Sequence, residues 1–128
     1  MNNRNIVLSY FRSKWWQDQN ACNIAELMLQ FFHRDFTRIW QSPRGSITYD
    51  YTSYMEMCRE MRKQLTKIYF DIKYCISESN IVALSYSASV TKQNSEKIKL
   101  RSYFTTFAEI QEHKIFRIYD LSCSSSHN

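Results

Sequence analysis

The sequence predicts an α+β domain in which one cone-shaped, curved antiparallel sheet wraps around three helices from the N-terminal half of the chain. From about residue 65 to residue 121, apolar and polar side chains alternate along four segments separated by short polar turns. Alternation of this kind is typical of strands with one buried face. Before residue 65, apolar residues recur at steps of three and four, the spacing of helices that bury one stripe.

Size and composition agree with a single domain. The 128 residues suffice for one hydrophobic core. Aromatic residues make up 16% of the chain, whereas Gly and Pro occur once each, which indicates long regular elements. So many aromatic side chains imply either a bulky core or a cavity with aromatic walls.

Three helices are predicted in the first half of the chain. The first spans about residues 5–16. The second follows Asn23, whose side-chain oxygen can accept hydrogen bonds from the first turn. The third is expected to begin at Ser53, which forms a capping-box pattern with Glu56. Their predicted buried faces contain Val7, Phe11 and Trp15 in the first helix, Ile24, Leu27, Met28 and Phe31 in the second, and Tyr54, Met57, Cys58, Met61 and Leu65 in the third.

Two short strands, about residues 36–41 and 46–49, are predicted before the third helix, and a four-stranded meander after it. The first meander strand places apolar side chains on one parity. We assign residues 1–121 to one domain and the serine-rich residues 122–128 to a mobile tail. The meander strands span about residues 67–76, 81–91, 97–104 and 114–121, and the apolar parity of the first comprises Ile68, Phe70, Ile72, Tyr74 and Ile76.

The chain carries a formal net charge of +5 at pH 7. Clustered basic residues are typical of nucleic-acid-binding surfaces. Basic residues in the last turn of a helix also complement the helix dipole, which explains one cluster without any partner. A basic nucleic-acid-binding module is therefore only a minor alternative. The clusters are Lys97, Lys99 and Arg101 on a predicted strand, and Arg59, Arg62, Lys63 and Lys67 at the end of the third helix.

Cysteine and glycine usage argues against a metal centre and a nucleotide cofactor. The four cysteines are widely spaced, without a C-x-x-C pair or a metal-ligand spacing with histidine. Gly45 is the only glycine, so a Gly-rich phosphate loop cannot form. We expect no metal and no cofactor. Because no signal peptide or apolar run of roughly 20 residues is seen, we expect a cytoplasmic protein with unpaired thiols and no membrane contact.

The order of these elements and several short motifs carry a family resemblance. The second helix runs into Phe31-Phe32-His33-Arg34-Asp35-Phe36, and Trp40 precedes Pro43 in the first short strand. An aliphatic strand, residues 81–86, and the closing segment, residues 114–119, complete the pattern. Over residues 5–121 the chain resembles the nuclear transport factor 2-like superfamily, in its SnoaL-like and ketosteroid-isomerase branch.

The resemblance implies a cone with an apolar pocket and a homodimer formed through the outer sheet face. The sequence is consistent with that dimer, because the outer face would carry apolar side chains beside small serines. A face of this composition is better covered than exposed to water. The outward apolar residues are Ile81, Ala83, Tyr103 and Phe107.

Asp120 and Tyr10 are the candidate catalytic residues. The resemblance implies an acid/base aspartate on the last strand, and Asp120 shares its parity with apolar residues there. Alternatively, Asp120 is an exposed residue at the end of the strand. Tyr10 occupies a position where the isomerases carry a hydroxyl that stabilises an enolate oxygen. His33 beside Asp35 is a further possible pair, although a helix-terminal histidine is more often a cap or surface residue.

Two functions remain open. The first is a domain that binds a small apolar molecule, with Trp15, Trp40, Tyr54, Tyr86 and Phe104 lining the pocket or simply filling the core. The second is a cofactor-free proton-transfer enzyme, of the isomerase, cyclase or dehydratase type, acting on an apolar carbonyl compound. We favour the first because no acid/base set is complete.

A ketosteroid isomerase is not expected. The resemblance places the catalytic aspartate of those enzymes immediately before the proline of the first short strand, where this chain has Ser42 before Pro43. Their second donor, an aspartate on the penultimate strand, falls near Ser102. A neutral hydroxyl without an adjacent base cannot replace a carboxylate as proton acceptor.

Overall fold

The computed structural model describes residues 2–18, 20–92 and 98–126. The described residues form three α-helices and six strands, in the order two helices, two strands, one helix and four strands, and a short 3-10 helix, Lys14–Trp16, follows the first helix. The helices are α1 (Asn3–Phe11), α2 (Ile24–Phe31) and α3 (Tyr51–Gln64). The strands are β1 (Phe32–Ser42), β2 (Gly45–Asp50), β3 (Leu65–Glu78), β4 (Ile81–Lys92), β5 (Ile98–Gln111) and β6 (Lys114–Ser126).

The six strands form one curved, open sheet in the order β2-β1-β6-β5-β4-β3. Neighbouring strands are antiparallel, as predicted, except that β1 runs parallel to β6. The predicted cone, with a curved sheet wrapped around three helices, is confirmed. The parallel pairing brings the middle of β1 beside the middle of β6, so residues 82 positions apart, such as Arg38 and Asp120, meet.

The helices cover the inner face of the sheet with a core rich in aromatic side chains. Tyr10 of α1 makes edge-to-face contacts with four of these rings, at centroid distances between 4.8 and 5.8 Å. Each such pair contributes roughly 0.5–1.5 kcal/mol beyond the area it buries. The four partners of Tyr10 are Phe11, Trp16, Phe31 and Phe32.

Two helix boundaries differ from the prediction because polar side chains redirect the backbone. α1 ends at Phe11, and Ser13 accepts a hydrogen bond from the Trp15 amide to start the separate 3-10 turn. α3 begins at Tyr51, two residues before the predicted start. Asp50 accepts from the Ser53 amide at 2.8 Å, and Ser53 Oγ accepts from the Asp50 amide at 2.9 Å. The reciprocal cap therefore joins Asp50 and Ser53, rather than Ser53 and Glu56.

A bulge in β3 reverses the predicted alternation. The pairing of β3 with β4 shifts register between Ile72 and Tyr74, so Lys73 is an extra residue on β3. A bulge of this kind moves the following side chains to the opposite face. Tyr74 and Ile76 are consequently 72% and 69% exposed on the outer face, while Cys75 packs against the core. The predicted inward orientation is therefore wrong for Tyr74 and Ile76.

The last strand continues beyond Leu121. Residues 122–126, assigned to a tail from their composition, pair with β5, from Ser122 opposite Phe104 to Ser126 opposite Leu100. Ser122 also accepts a hydrogen bond from Trp40 Nε1 at 2.6 Å. This pairing corrects the predicted boundary at residue 121. The rest of the predicted tail, residues 127 and 128, lies outside the described residues.

None of the helices in the described ranges is long and apolar enough to cross a membrane. Cys22, Cys58, Cys75 and Cys123 are free thiols, and Cys58 is buried whereas Cys123 is exposed.

Candidate binding cavity

A cavity of about 370 Å³ lies between the helices and the inner face of the sheet. Its volume is at the lower end of the range of small-molecule sites, roughly 300–1,000 Å³. Most of its surface is apolar, and its charged groups, Arg38 and Asp120, lie where β1 and β6 adjoin. The aromatic walls come from Phe11, Trp16, Trp40, Phe70, Tyr86 and Phe104, and the polar lining comes from Tyr10, Arg38, Tyr54, Cys58, Ser102 and Asp120.

Arg38 and Asp120 form a buried ion pair at the polar end of the cavity. Arg38 Nε donates to Asp120 Oδ2 at 2.5 Å, and the Asp120 side chain is 1% exposed. The other carboxylate oxygen, Oδ1, accepts a hydrogen bond from Thr106, which lies directly opposite Asp120 on β5. Both oxygens of Asp120 are therefore engaged by protein donors, as a buried carboxylate requires.

Tyr86 extends this network along the sheet. Its hydroxyl lies 3.0 Å from Thr106 Oγ1. Because the single hydroxyl proton of Thr106 is given to Asp120, Tyr86 must be the donor in this bond. Burial, followed by the negative charge of Asp120, raises the pKa of Tyr86 above its ordinary value. The Tyr86 hydroxyl thus remains protonated at neutral pH.

The guanidinium of Arg38 lies close to two aromatic rings. Its Cζ atom is 5.0 Å from the centroid of Trp40 and 5.4 Å from that of Tyr54, within cation–π range. Burial lowers the pKa of Arg38, but Asp120, Tyr54 and Tyr86 together raise it by more, so Arg38 stays charged. Among the described residues we find no acceptor for its terminal Nη groups. Because Arg38 lines the cavity, these groups are candidate donors to a ligand.

A second polar group consists of Tyr10, Tyr54 and Cys58. The hydroxyls of Tyr10 and Tyr54 are 2.6 Å apart. Burial is the main cause that raises the pKa of both phenols well above their ordinary value. Burial also raises the pKa of the Cys58 thiol to about 11. At neutral pH the three groups are uncharged, so they can donate or accept hydrogen bonds but offer no phenolate or thiolate nucleophile.

Most of the site residues predicted from the sequence lie on this cavity. Trp40, Tyr54, Tyr86 and Phe104 are on its wall, together with both catalytic candidates. The alternative of an exposed Asp120 is wrong, because the strand continues past it and its side chain is buried in contact with Arg38 and Thr106.

Two predicted candidates lie elsewhere. Trp15 is buried outside the described lining, where Arg62 Cζ is 5.3 Å from its ring centroid, and the neighbouring Trp16 faces the cavity instead. The 3-10 turn that ends α1 early changes which of the two indoles points inward. His33 lies beside Glu112, with 3.5 Å between Nε2 and Oε2, and its ring contacts Phe116. It is not part of the described cavity lining.

Arg38 and Thr106 were missed by the sequence reasoning. Both residues occupy strand positions whose side chains face the core. On β1, Arg38 has the same parity as Phe36 and Trp40 and lies between them. A charged residue at a core-facing strand position needs a partner. The alternation of β1 shows such a residue, so the sequence does indicate that Arg38 has a buried partner. The partner could not be named, because the parallel pairing of β1 with β6 was not predicted.

The basic cluster at the end of α3 is dispersed in the structure. Arg59 pairs with Glu56 at 2.9 Å and Lys63 with Glu60 at 2.8 Å, each within one helical turn. Arg62 is buried and donates to a backbone carbonyl. Arg59, Arg62 and Lys63 therefore each have a partner within the chain. In the other predicted cluster, Lys97 and the side chain of Lys99 lie outside the described residues.

Within the described ranges, no group of three or more His, Cys, Asp or Glu side chains is placed to hold a metal ion. No protein-family model matches the chain, and no curated protein is significantly similar to it in sequence.

Solved structures, in contrast, are similar to this chain over nearly its whole length. A SnoaL-like polyketide cyclase from Agrobacterium tumefaciens is 15% identical, with a TM-score of 0.68 over 95% of this chain and 91% of its own. A candidate isomerase from Rhodopseudomonas palustris is 11% identical, with a TM-score of 0.72 over 95% and 90%. A nuclear transport factor 2-like protein of unknown function from Cytophaga hutchinsonii is 17% identical, with a TM-score of 0.62 over 94% and 88%. The chain therefore has the nuclear transport factor 2-like fold, in the form seen in SnoaL-like polyketide cyclases.

Proposed function

We propose that this protein binds a small, mostly apolar molecule in the cavity described above. The observation that carries the proposal is a cavity of about 370 Å³ with aromatic walls that ends at the buried Arg38–Asp120 pair. A mostly apolar cavity with a few convergent polar groups is the usual form of a small-molecule site.

The walls favour a flat ligand. The rings of Tyr86 and Phe104 are stacked, with an interplanar angle of 8° and centroids 5.1 Å apart, and the Trp40 ring lies beside Phe104 at 6.3 Å. Aromatic surface buried against such rings contributes roughly 25 cal/mol per Å². An aromatic or polycyclic body fits this surface better than a flexible polar chain.

The polar end orients the ligand. Asp120 and the rings of Trp40 and Tyr54 hold the Arg38 guanidinium in place, so little side-chain entropy is lost when its Nη groups bind an acceptor. A ligand oxygen that reaches this end would receive hydrogen bonds from a fixed, charged donor.

A proton-transfer enzyme is the second candidate. It is supported by the buried carboxylate of Asp120 on the cavity wall and by the similarity to a cyclase and a candidate isomerase. The hydrogen bonds that Asp120 accepts from Arg38 and Thr106 argue against it, because neither oxygen faces the cavity as an unengaged proton acceptor. Binding is therefore the better-supported function.

Within the enzyme alternative, ketosteroid isomerisation stays the least favoured reaction. Ser42, at the predicted position of the base, lies at the β1–β2 turn and accepts a hydrogen bond from the Arg44 amide at 3.2 Å. It is absent from the described cavity lining.

The outer face of the sheet supports a homodimer, with a second copy of the chain as its partner. A continuous row of outward side chains crosses the four strands from β3 to β6. Its members, each opposite the next on the neighbouring strand, are Ile76, Ala83, Phe107 and Tyr119. Large side chains on this face, including Phe107, are exposed in the single chain. A contiguous apolar row of this length is typical of an interaction surface.

Binding is tested with 2-acetylnaphthalene, a flat neutral ketone, by titration calorimetry. Ala88 lines the cavity, and Ala88→Phe fills it. Ala21→Phe, at an exposed position outside the lining, is the matched control. We expect the wild type and the control to bind and Ala88→Phe to lose most of its affinity while remaining folded. Equal binding by all three proteins would place the ligand elsewhere.

A further inference from the structure

We propose that Asp120 is a specificity-determining residue: by neutralising Arg38, it makes the cavity select neutral carbonyl ligands over carboxylates. The inference rests on the proposed binding function and names the ligand class for that site. It assigns Asp120 the role of a fixed counter-ion rather than that of a proton acceptor.

The charges in the cavity balance. Among the described residues that line it, Arg38 and Asp120 carry the formal charges, one positive and one negative. The phenols of Tyr10, Tyr54 and Tyr86 are neutral, as is the Cys58 thiol. The polar end of the cavity therefore presents a dipole to a ligand instead of a net positive charge.

The geometry favours a neutral acceptor. Asp120 accepts a hydrogen bond from Arg38 Nε, and Arg38 itself lines the cavity, so its Nη groups are the donors that we assign to a ligand. A ketone, ester or amide oxygen can accept from them without adding charge. A carboxylate would lose its hydration, and Asp120 would repel it at nearly the distance from which Arg38 attracts it. The site would then hold one uncompensated negative charge.

Asp120→Asn should reverse this preference. Asparagine has nearly the same shape and keeps an oxygen that can accept from Arg38, but it removes the negative charge. Arg38 would then be an uncompensated cation at the end of an apolar cavity. A bound carboxylate would restore the balance that Asp120 provides in the wild type.

Three probes of nearly equal shape separate these effects. 2-Acetylnaphthalene offers a neutral carbonyl, 2-naphthoate offers a carboxylate that is ionised at pH 7.5, and 2-isopropenylnaphthalene offers no acceptor. Binding is measured by calorimetry and by quenching of tryptophan fluorescence, since Trp16 and Trp40 lie on the wall. We expect the wild type to bind the ketone at least about tenfold more tightly than either other probe. Asp120→Asn should bind 2-naphthoate more tightly than the ketone.

The outcomes are distinguishable. If none of the probes binds the wild type, the proposed function itself fails. If 2-naphthoate binds the wild type as tightly as the ketone, charge selection fails while binding stands. If the ketone and the isopropenyl compound bind equally, Arg38 does not donate to the ligand and the inference is overturned. The wild-type comparison needs no variant, so it decides the question even if Asp120→Asn does not fold.

A second variant tests the role of Arg38 as the hydrogen-bond donor to the ligand. In Arg38→Gln the charged donor is lost, so the preference for the ketone over the isopropenyl compound should fall to about threefold or less. Circular dichroism establishes that the variant is folded. An unchanged preference in folded Arg38→Gln would contradict the role given to the ion pair.

Discussion

Trp40 on β1 lies directly opposite Asp120 on β6, across the parallel pairing of these two strands. Arg38, two residues earlier on the same face, bridges the pair, because its guanidinium contacts both the Trp40 ring and the Asp120 carboxylate. The cavity thus ends where the first and last strands of the chain meet, so the proposed binding and the stability of the fold would depend on the same side chains.

Arg38→Met should be strongly destabilising. It leaves Asp120 buried without its charged partner, and breaking a buried pair in this way costs about 3–5 kcal/mol. Urea unfolding measures the loss. Arg59→Met removes an exposed pair with Glu56 and should cost no more than about 0.5 kcal/mol. Similar losses of unfolding free energy in the two variants would show that the buried pair stabilises the fold no more than the exposed pair does.

The cap of α3 should make stability depend on pH. Hydrogen bonds from Ser53 lower the pKa of Asp50 below its ordinary value. A carboxyl group with a lowered folded-state pKa stabilises the protein above its unfolded-state pKa, and this contribution disappears as pH falls through the folded-state value. We expect Asp50→Asn to be less stable than the wild type at pH 7 and to approach it at pH 2–3. A difference of the same size at both pH values would exclude this origin.

The cysteines should react in the order of their exposure. Cys123 is exposed, whereas Cys58 is buried and burial raises its pKa to about 11. At pH 8 the thiolate fraction of Cys58 is therefore very small. An aromatic disulfide reagent should modify Cys123 first and Cys58 only on unfolding, with four free thiols in denaturant without reductant. Cys123→Ser should remove the fast phase, and finding two thiols or none would reveal disulfides.

The proposed dimer should depend on the outer sheet face. Phe107 is 46% exposed in the apolar row of that face, and Phe107→Glu would place a charge at the interface. We expect sedimentation at micromolar concentration to give twice the 15.5 kDa mass for the wild type and the monomer mass for the variant. Leu29→Glu, at a 70% exposed position on α2, should stay dimeric. A monomeric wild type would refute the proposal.

The architecture could be predicted from the sequence because its signals are local. The alternation at Ile68, Phe70 and Ile72 and the spacing of Leu27, Met28 and Phe31 each depend on neighbours a few residues away. These patterns were enough for the element order.

The polar end of the cavity could be predicted only in part, because it depends on contacts between distant residues. Asp120 was found from its position on the last strand, but its partner Arg38 is 82 residues away, across the unpredicted parallel pairing. Whether Trp15 or Trp16 faces the cavity depends on where α1 ends, and the separate turn after α1 begins at Ser13, whose side chain accepts a hydrogen bond from the Trp15 amide. The serine-rich composition of residues 122–126 predicts a tail, but these residues are paired with β5 in the sheet.

The bulge at Lys73 has a consequence for how this surface can change in evolution. Without the bulge, Lys73 would pair with Ser85, and the faces of the following residues would be exchanged, with Tyr74 and Ile76 in the interior and Cys75 outside. Forming or losing one bulge can therefore transfer several side chains between the inside and the outside of the sheet without any substitution. Among chains of this fold, an apolar outer surface can then be gained or lost through a change of register at one residue, even though the strands themselves persist.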